Sequence, residues 1–196
     1  MENFTKREKQ RHERRLQILD CSLDMIISRG FDAMKIRDIA DRLQISTGLF
    51  FNYFESKEQV YEELVKIGLS GPASVLKMNT GGIEPLALFE GMTSAIFYAL
   101  KSDPFNGKMF LLMTHAMHNE AAPEGVKKLL AGFDFITPLV EKVREGQTKG
   151  QIRPGDPKAL ILAYWGAVQG IAEFSAIYSF MPMPEPGWIV DILRAR

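Results

Sequence analysis

Apolar residues in the first third of the chain recur at helical spacing, and the gaps between the runs hold residues that stop helices. Leu16, Leu19, Leu23 and Ile26 form one stripe, which predicts a helix from about Lys9 to Arg29 ended by Gly30. Ile36, Ile39, Ala40 and Leu43 form a second stripe, after which Gln44-Ile45 turns the chain. Ser46 then suits an N-cap, because its hydroxyl can accept a backbone N–H, and a third helix follows through about Asn52. Two short helices around a tight turn within Gly30–Lys57, apolar on one face, make a helix-turn-helix whose second helix can enter a major groove. Ser56 caps a fourth helix, Glu58 to about Leu69, and Gly71-Pro72 is expected to interrupt it because proline has no backbone donor and crowds the previous turn. Asn79-Thr80-Gly81-Gly82 reads as a loop.

From Pro85 onward the pattern is helical to the end. Pro85 and Pro104 suit first helical turns and predict helices of about 85–101 and 104–119. Pro123 opens a helical region to Lys149, bent or broken near Pro138 and stopped by Gly150. Asp156-Pro157, an N-cap followed by a first-turn proline, starts a helix of about 157–180 that Pro182, Pro184 and Pro186 end. A short helix, Trp188 to Leu193, closes the chain. There is no convincing strand pattern, so the fold class is all-α. The expected organisation is residues 1–57 as a helix-turn-helix domain and 58–196 as a helical remainder.

With 196 residues and 46% hydrophobic composition, the chain can bury a core in one unit or in two small domains sharing a helix. Its 24 basic and 24 acidic residues cancel, which argues against a nucleic-acid binder held by bulk charge. The charge is uneven, however. Residues 1–15 carry six basic side chains (Lys6, Arg7, Lys9, Arg11, Arg14, Arg15) against three acidic ones, where a duplex backbone would want them. A single cysteine, Cys21, rules out an intrachain disulfide and suits a reducing, cytoplasmic setting, with packing as its expected role. No apolar run is expected to reach the length of a membrane span, and the charged N-terminus lacks the apolar core of a signal peptide.

Candidate chemistry is sparse outside the helix-turn-helix. There is no nucleophile elbow and no phosphate-binding glycine loop, so no catalytic residue and no cofactor are expected. His115 and His118, one turn apart with Glu120 behind them, supply too few ligands for a metal site. The recognition helix offers Thr47, Gly48, Leu49 and Asn52 outward. The Asn52 carboxamide can pair with adenine, a contact worth about 1–3 kcal/mol of discrimination, or bond a phosphate instead.

Gly30-Phe31, Ile36, Asp38-Ile39-Ala40, Ser46, Gly48, Tyr53-Phe54 and Ser56-Lys57-Glu58 resemble the N-terminal signature of the TetR family of one-component transcriptional regulators. The likeness runs without a gap from Ile18-Leu19 to about Leu64. It implies a three-helix DNA-binding domain, an all-helical effector-binding and dimerisation domain, and a homodimer on a palindromic double-stranded DNA operator. It further implies base contacts from Thr47 and Gly48 and a backbone grip from Tyr53 and Lys57, with Ser46 mainly a cap. Two departures stand out: Phe51 replaces the family's usual tyrosine and has no hydroxyl for a phosphate, and Lys35 replaces a threonine or serine cap but brings an ammonium. Lys35 and the nearby Arg37 complete the expected DNA contacts.

In the family, the later helices surround a ligand cavity. Phe89, Met92, Phe97, Met109, Phe110, Met113, Met117, Trp165, Gln169 and Phe174 are spread over them, and flexible methionines with flat aromatics suit an apolar or aromatic effector. The same residues also read as ordinary core. Ala163, Gly166, Ala167 and Gly170 would let helices approach closely, and with Ile136–Val143 they mark the expected dimer face. The leading reading is a homodimeric, effector-released repressor. The alternatives are a small-molecule-binding protein or enzyme with a vestigial helix-turn-helix, or an activator.

Overall fold

The structure is a computed structural model that describes residues 5–77, 82–178 and 180–196, with the backbone alone for 72–77. Of the expected loop at 79–82, residues 79–81 lie outside the described residues. Helices account for the regular structure among the described residues, with one isolated antiparallel bridge between Ile152 and Arg194.

Helix α1 spans Lys6–Arg29 and begins earlier than the apolar stripe suggested. Its start is a capping box: Thr5 Oγ1 accepts the Glu8 N–H at 3.3 Å, and the Glu8 carboxylate accepts the Thr5 N–H at 2.7 Å. The buried face is Ile18, Leu19, Ser22, Leu23, Met25 and Ile26, whereas Leu16, expected on that stripe, is 47% exposed. Gly30 ends the helix with φ of +82°, a value that favours glycine.

α2 (Ile36–Leu43) starts at Lys35 without a side-chain cap and ends at Gln44, which adopts the left-handed conformation with φ of +53°. α3 (Thr47–Phe51) is short, with Asn52 as its C-cap. Helix α4 runs from Lys57 to Lys77 straight through Gly71-Pro72, so the expected interruption does not occur. Part of the crowding that proline imposes falls on the preceding residue's Cβ, and Gly71 has none. The clash with the carbonyl one turn back and the missing backbone donor remain as costs.

α5 (Pro85–Ser102), α6 (Pro104–His118) and α9 (Pro157–Ile177) start at the expected prolines, and Asp156 caps α9 by accepting from the Lys158 and Ala159 N–H groups at 2.8 and 3.0 Å. Between them, α7 (Glu124–Ala131) and α8 (Ile136–Thr148) are separated upstream of Pro138, which sits in the first turn of α8. Asp134 makes that break by accepting from the Ile136 and Thr137 N–H groups at 3.1 and 3.0 Å. The Thr137 side chain, followed by the Thr137 and Ile136 N–H groups, holds its carboxyl below the usual aspartate range. The last helix, α10, is Pro186–Val190.

Two compact units result. The first comprises residues 1–67 and 112–130, the second 68–111 and 131–196. The division therefore falls inside α4, beyond Lys57, and inside α6. In the second unit α8 and α10 pack on α9, and α5 packs on α8, α9 and α10. Its main core includes Phe89, Leu139, Val143, Ile161, Tyr164 and Val168. α9 is long and apolar enough, by length and composition, to cross a membrane, which corrects the expectation that no run reaches that length.

Candidate nucleic-acid interface

The reading end is built by burying Phe50 and Phe54 and leaving their neighbours out. Their rings lie 5.9 Å apart, fully buried, and fix α3 against the first unit. Ser46 Oγ accepts the Leu49 N–H at 3.1 Å, so its hydroxyl is spent on the cap as its position suggests. Thr47, Gly48 and Asn52 are exposed, while Leu49 and Tyr53 are half-buried. A methyl group added at Gly48 would meet only Ser46 Oγ at 3.8 Å, so packing within the protein does not require a glycine there.

An open cleft of about 690 Å³ separates α3 from the first half of α1. Leu49, Asn52 and Tyr53 line one side; Arg7, Arg11 and Arg14 line the other, with Gln10, Glu13 and Gln17 between them. Arg7, Arg11 and Arg14 fall at i, i+4 and i+7 of one helix face, and no carboxylate among the described residues pairs with them. The sequence held the clue to this face in Thr5-x-x-Glu8, since only a helix that starts at Lys6 carries Arg7.

Two cations of the region are placed differently from the sequence expectation. Arg15 turns inward: its guanidinium pairs with both carboxylate oxygens of Glu63, donates to the Tyr53 carbonyl at 2.6 Å and lies 4.2 Å from the Phe54 ring centroid. Lys57, expected to grip phosphate, donates to the carbonyls of Phe31, Asp32 and Met34 at 3.1, 3.3 and 3.2 Å. Those three bonds use every proton of the ammonium, which also sits 4.4 Å from the Phe31 ring centroid. It thus clamps the turn between α1 and α2. Lys35 and Arg37 remain exposed, the latter in a loose pair with Asp41 at 3.8 Å. Phe51, without a hydroxyl, is 52% exposed and meets Phe50 edge-on.

The expected effector residues divide. Phe89, Met92 and Trp165 come together in the second unit's main core, and Phe97 and Phe110 in a smaller cluster beside Ala172. Trp165 links an aromatic row, with Phe110 at 6.4 Å on one side and Phe135 at 4.7 Å on the other. Gln169 donates to Glu173 at 3.0 Å. In the same core Thr93 and the Tyr164 hydroxyl share a hydrogen bond at 2.8 Å, and burial pushes the Tyr164 phenol up to about 12. Met109 is buried. Met113 and Met117 instead belong to the first unit, where Met117 is 61% exposed on the last turn of α6. Phe174 lies on the outer face of α9, 58% exposed and stacked on Tyr178 at 5.7 Å. Cys21 is buried, and that burial raises its thiol pKa. Among the described residues no three histidine, cysteine, aspartate or glutamate side chains gather as a metal set.

Comparison with known proteins identifies the family. The profile of bacterial regulatory proteins of the tetR family matches residues 18–64. The transcriptional repressor KstR2 of Mycolicibacterium smegmatis is 39% identical over 153 residues, which cover 72% of this chain and 68% of that protein. Among solved structures, the ketosteroid transcriptional regulator KstR2 of Mycobacterium tuberculosis superposes with a TM-score of 0.67 at 18% identity, covering 93% of this chain and 96% of that one. AibR, solved with isovaleryl coenzyme A and operator DNA, superposes with a TM-score of 0.60 at 17% identity over 91% of this chain and 94% of its own.

Proposed function

The chain belongs to the TetR family of bacterial regulatory proteins, and from that premise we propose that it is a homodimeric repressor whose paired reading heads bind a palindromic operator. The family makes it a ligand-responsive, DNA-binding transcriptional regulator. The observation that carries the finer reading is the cleft between α1 and α3, with exposed Thr47, Gly48 and Asn52 on one side and, on the other, three arginines without a carboxylate partner among the described residues. Base edges are read by the first group and the phosphate backbone is held by the second. Tyr53 borders both, and Lys57 serves by fixing the turn in front of α2.

The effector belongs to the second unit and is apolar or aromatic, which the Phe110–Trp165–Phe135 row supports. Release follows if the effector binds the DNA-incompetent state more tightly, each tenfold loss of operator affinity needing about 1.4 kcal/mol of coupling. Binding to a selected duplex library at graded salt tests the reading. A sequence-selective, salt-sensitive complex is expected; absence of selectivity at every salt concentration refutes it.

A further inference from the structure

A second, open hollow of about 270 Å³ lies within the first unit and shares no lining residue with the arginine cleft. Its floor is apolar: Ile26 of α1 and the rings of Phe31 and Tyr61, which are buried and stacked at 4.9 Å. Its rim is polar, formed by His115, His118 and Asn119 at the end of α6. Their hydrogen-bonding states follow from their neighbours. His118 Nδ1 lies 2.8 Å from the Thr114 carbonyl, which only accepts, so the proton of the neutral ring is on Nδ1 and Nε2 presents a lone pair. Asn119 Oδ1 accepts the Ala121 N–H at 2.9 Å, which leaves its NH2 group to donate. His115 makes no hydrogen bond among the described residues and can donate from its ring N–H.

We propose that this hollow is a small-molecule site for a single-ring hydroxy-aromatic acid. The ring meets the small edge of Phe31, Tyr61 and Ile26 that stays uncovered, the carboxylate accepts from Asn119 and His115, and the ligand hydroxyl donates to His118 Nε2. The size fits one ring, since pockets for larger ligands begin at about 300 Å³. The position gives the site a consequence. Gly30 and Phe31 also line it, and the Phe31 ring is held between Tyr61 and the Lys57 ammonium that clamps the turn ahead of α2. Occupancy therefore bears on the setting of the reading head. By linkage the ligand and the operator change each other's affinity by the same factor, about fivefold or more. Binding itself is independent of the DNA-reading assignment; the coupling rests on it.

The test titrates 3-hydroxybenzoate into the full chain without DNA, with benzoate and 3-hydroxybenzyl alcohol as controls lacking one group each. Saturable binding of one molecule per chain is expected, with shifts of the His115 and His118 imidazole signals and at least about tenfold weaker binding of either control. His115→Ala/His118→Ala, at two exposed positions, should leave folding unchanged and lower the affinity by a similar factor. Binding that is absent, that survives the double substitution, or that is lost with Trp165→Leu in the second unit overturns the site. Saturating 3-hydroxybenzoate that leaves operator affinity unchanged overturns the coupling, whereas ligand-free protein that binds no duplex condemns the DNA reading instead.

Discussion

Lys57 and Arg7, Arg11 and Arg14 divide the work of cations in the first unit. Lys57 has no proton left for a phosphate, so Lys57→Met removes three charge-assisted bonds and is expected to destabilise the fold by about 2 kcal/mol. Thermal unfolding should show the drop, while the slope of log K against log salt for operator binding stays that of the parent protein. Arg11→Ala should do the reverse, leaving stability unchanged and lowering the slope by about 0.9, the share of a single phosphate. A reduced slope in Lys57→Met would return the phosphate role to Lys57. Gly48 separates packing from recognition in the same way. A methyl group there fits the protein, and alanine is a better helix former by up to about 1 kcal/mol, so Gly48→Ala should be no less stable. If α3 reads the base edges as proposed, the same methyl would stand between them, so operator affinity should fall about tenfold or more, read by gel shift. The exposure of Thr47, Gly48 and Asn52 and the Ser46 cap were legible in the sequence because both follow from spacing along a short helix. The partners of Lys57 and Arg15 were not. Lys57 meets carbonyls 23 to 26 residues away and Arg15 a carboxylate 48 residues away, juxtapositions that no local pattern encodes.

At the scale of elements, prolines and aspartates located most helix starts, and the failures have physical reasons. Pro85, Pro104 and Asp156-Pro157 open α5, α6 and α9 because a first-turn proline forgoes a donor the helix does not use. Pro72 is the exception: it follows a glycine, which removes one of its clashes, and α4 continues through it. Near Pro138 the helical region does break, at 132–135, and the proline takes a place in the first turn of α8. Thr5-x-x-Glu8 has no apolar stripe beside it to mark a helix start; the first two turns of α1 are polar on every side. That capping box makes the arginine face depend on pH. The bonds from Thr5 hold the Glu8 carboxyl below its ordinary value, so the native start of α1 binds its proton less readily than the unfolded chain does. The contribution is fully present above the ordinary glutamate range and is lost as pH falls through the lowered value. Amide exchange at residues 6–9 should therefore accelerate on acidification through that window. Thr5→Ala should exchange fast at every pH and bind the operator more weakly, since Arg7 loses its helical placement; equal protection in Thr5→Ala and parent would sink the argument.

At the scale of the whole molecule, α9 poses the question of what covers it. One face belongs to its own unit, where Ile161, Tyr164, Val168 and Ala172 are buried. The other presents Leu162 at 75% exposure, Phe174 at 58% and Ile177 at 59%, with Ala163 and Gly166 exposed between them and nothing within 4 Å of a methyl group built at Gly166 or Gly170. Only 22% of its most apolar window is buried within the chain. A bilayer would have to surround the helix, which means stripping Tyr164 from Thr93 and Phe89 and breaking up the core of the second unit. A second copy would cover the outer face alone and leave that core intact, and the small residues would allow the two helices to approach closely. A palindromic operator needs the same two-fold axis. Leu162→Glu places a carboxylate where an apolar side chain should be buried, forfeiting about 2 kcal/mol of burial per copy as well as costing its own desolvation. Sedimentation should then find a monomer at concentrations where the parent is a dimer. Affinity for the full operator should fall by about 100-fold or more, because the second reading head is no longer tethered to the first. Affinity for an isolated half-site should stay as it was, since nothing in the first unit has changed. A Leu162→Glu chain that still sediments as a dimer would mean that another face, rather than α9, joins the copies.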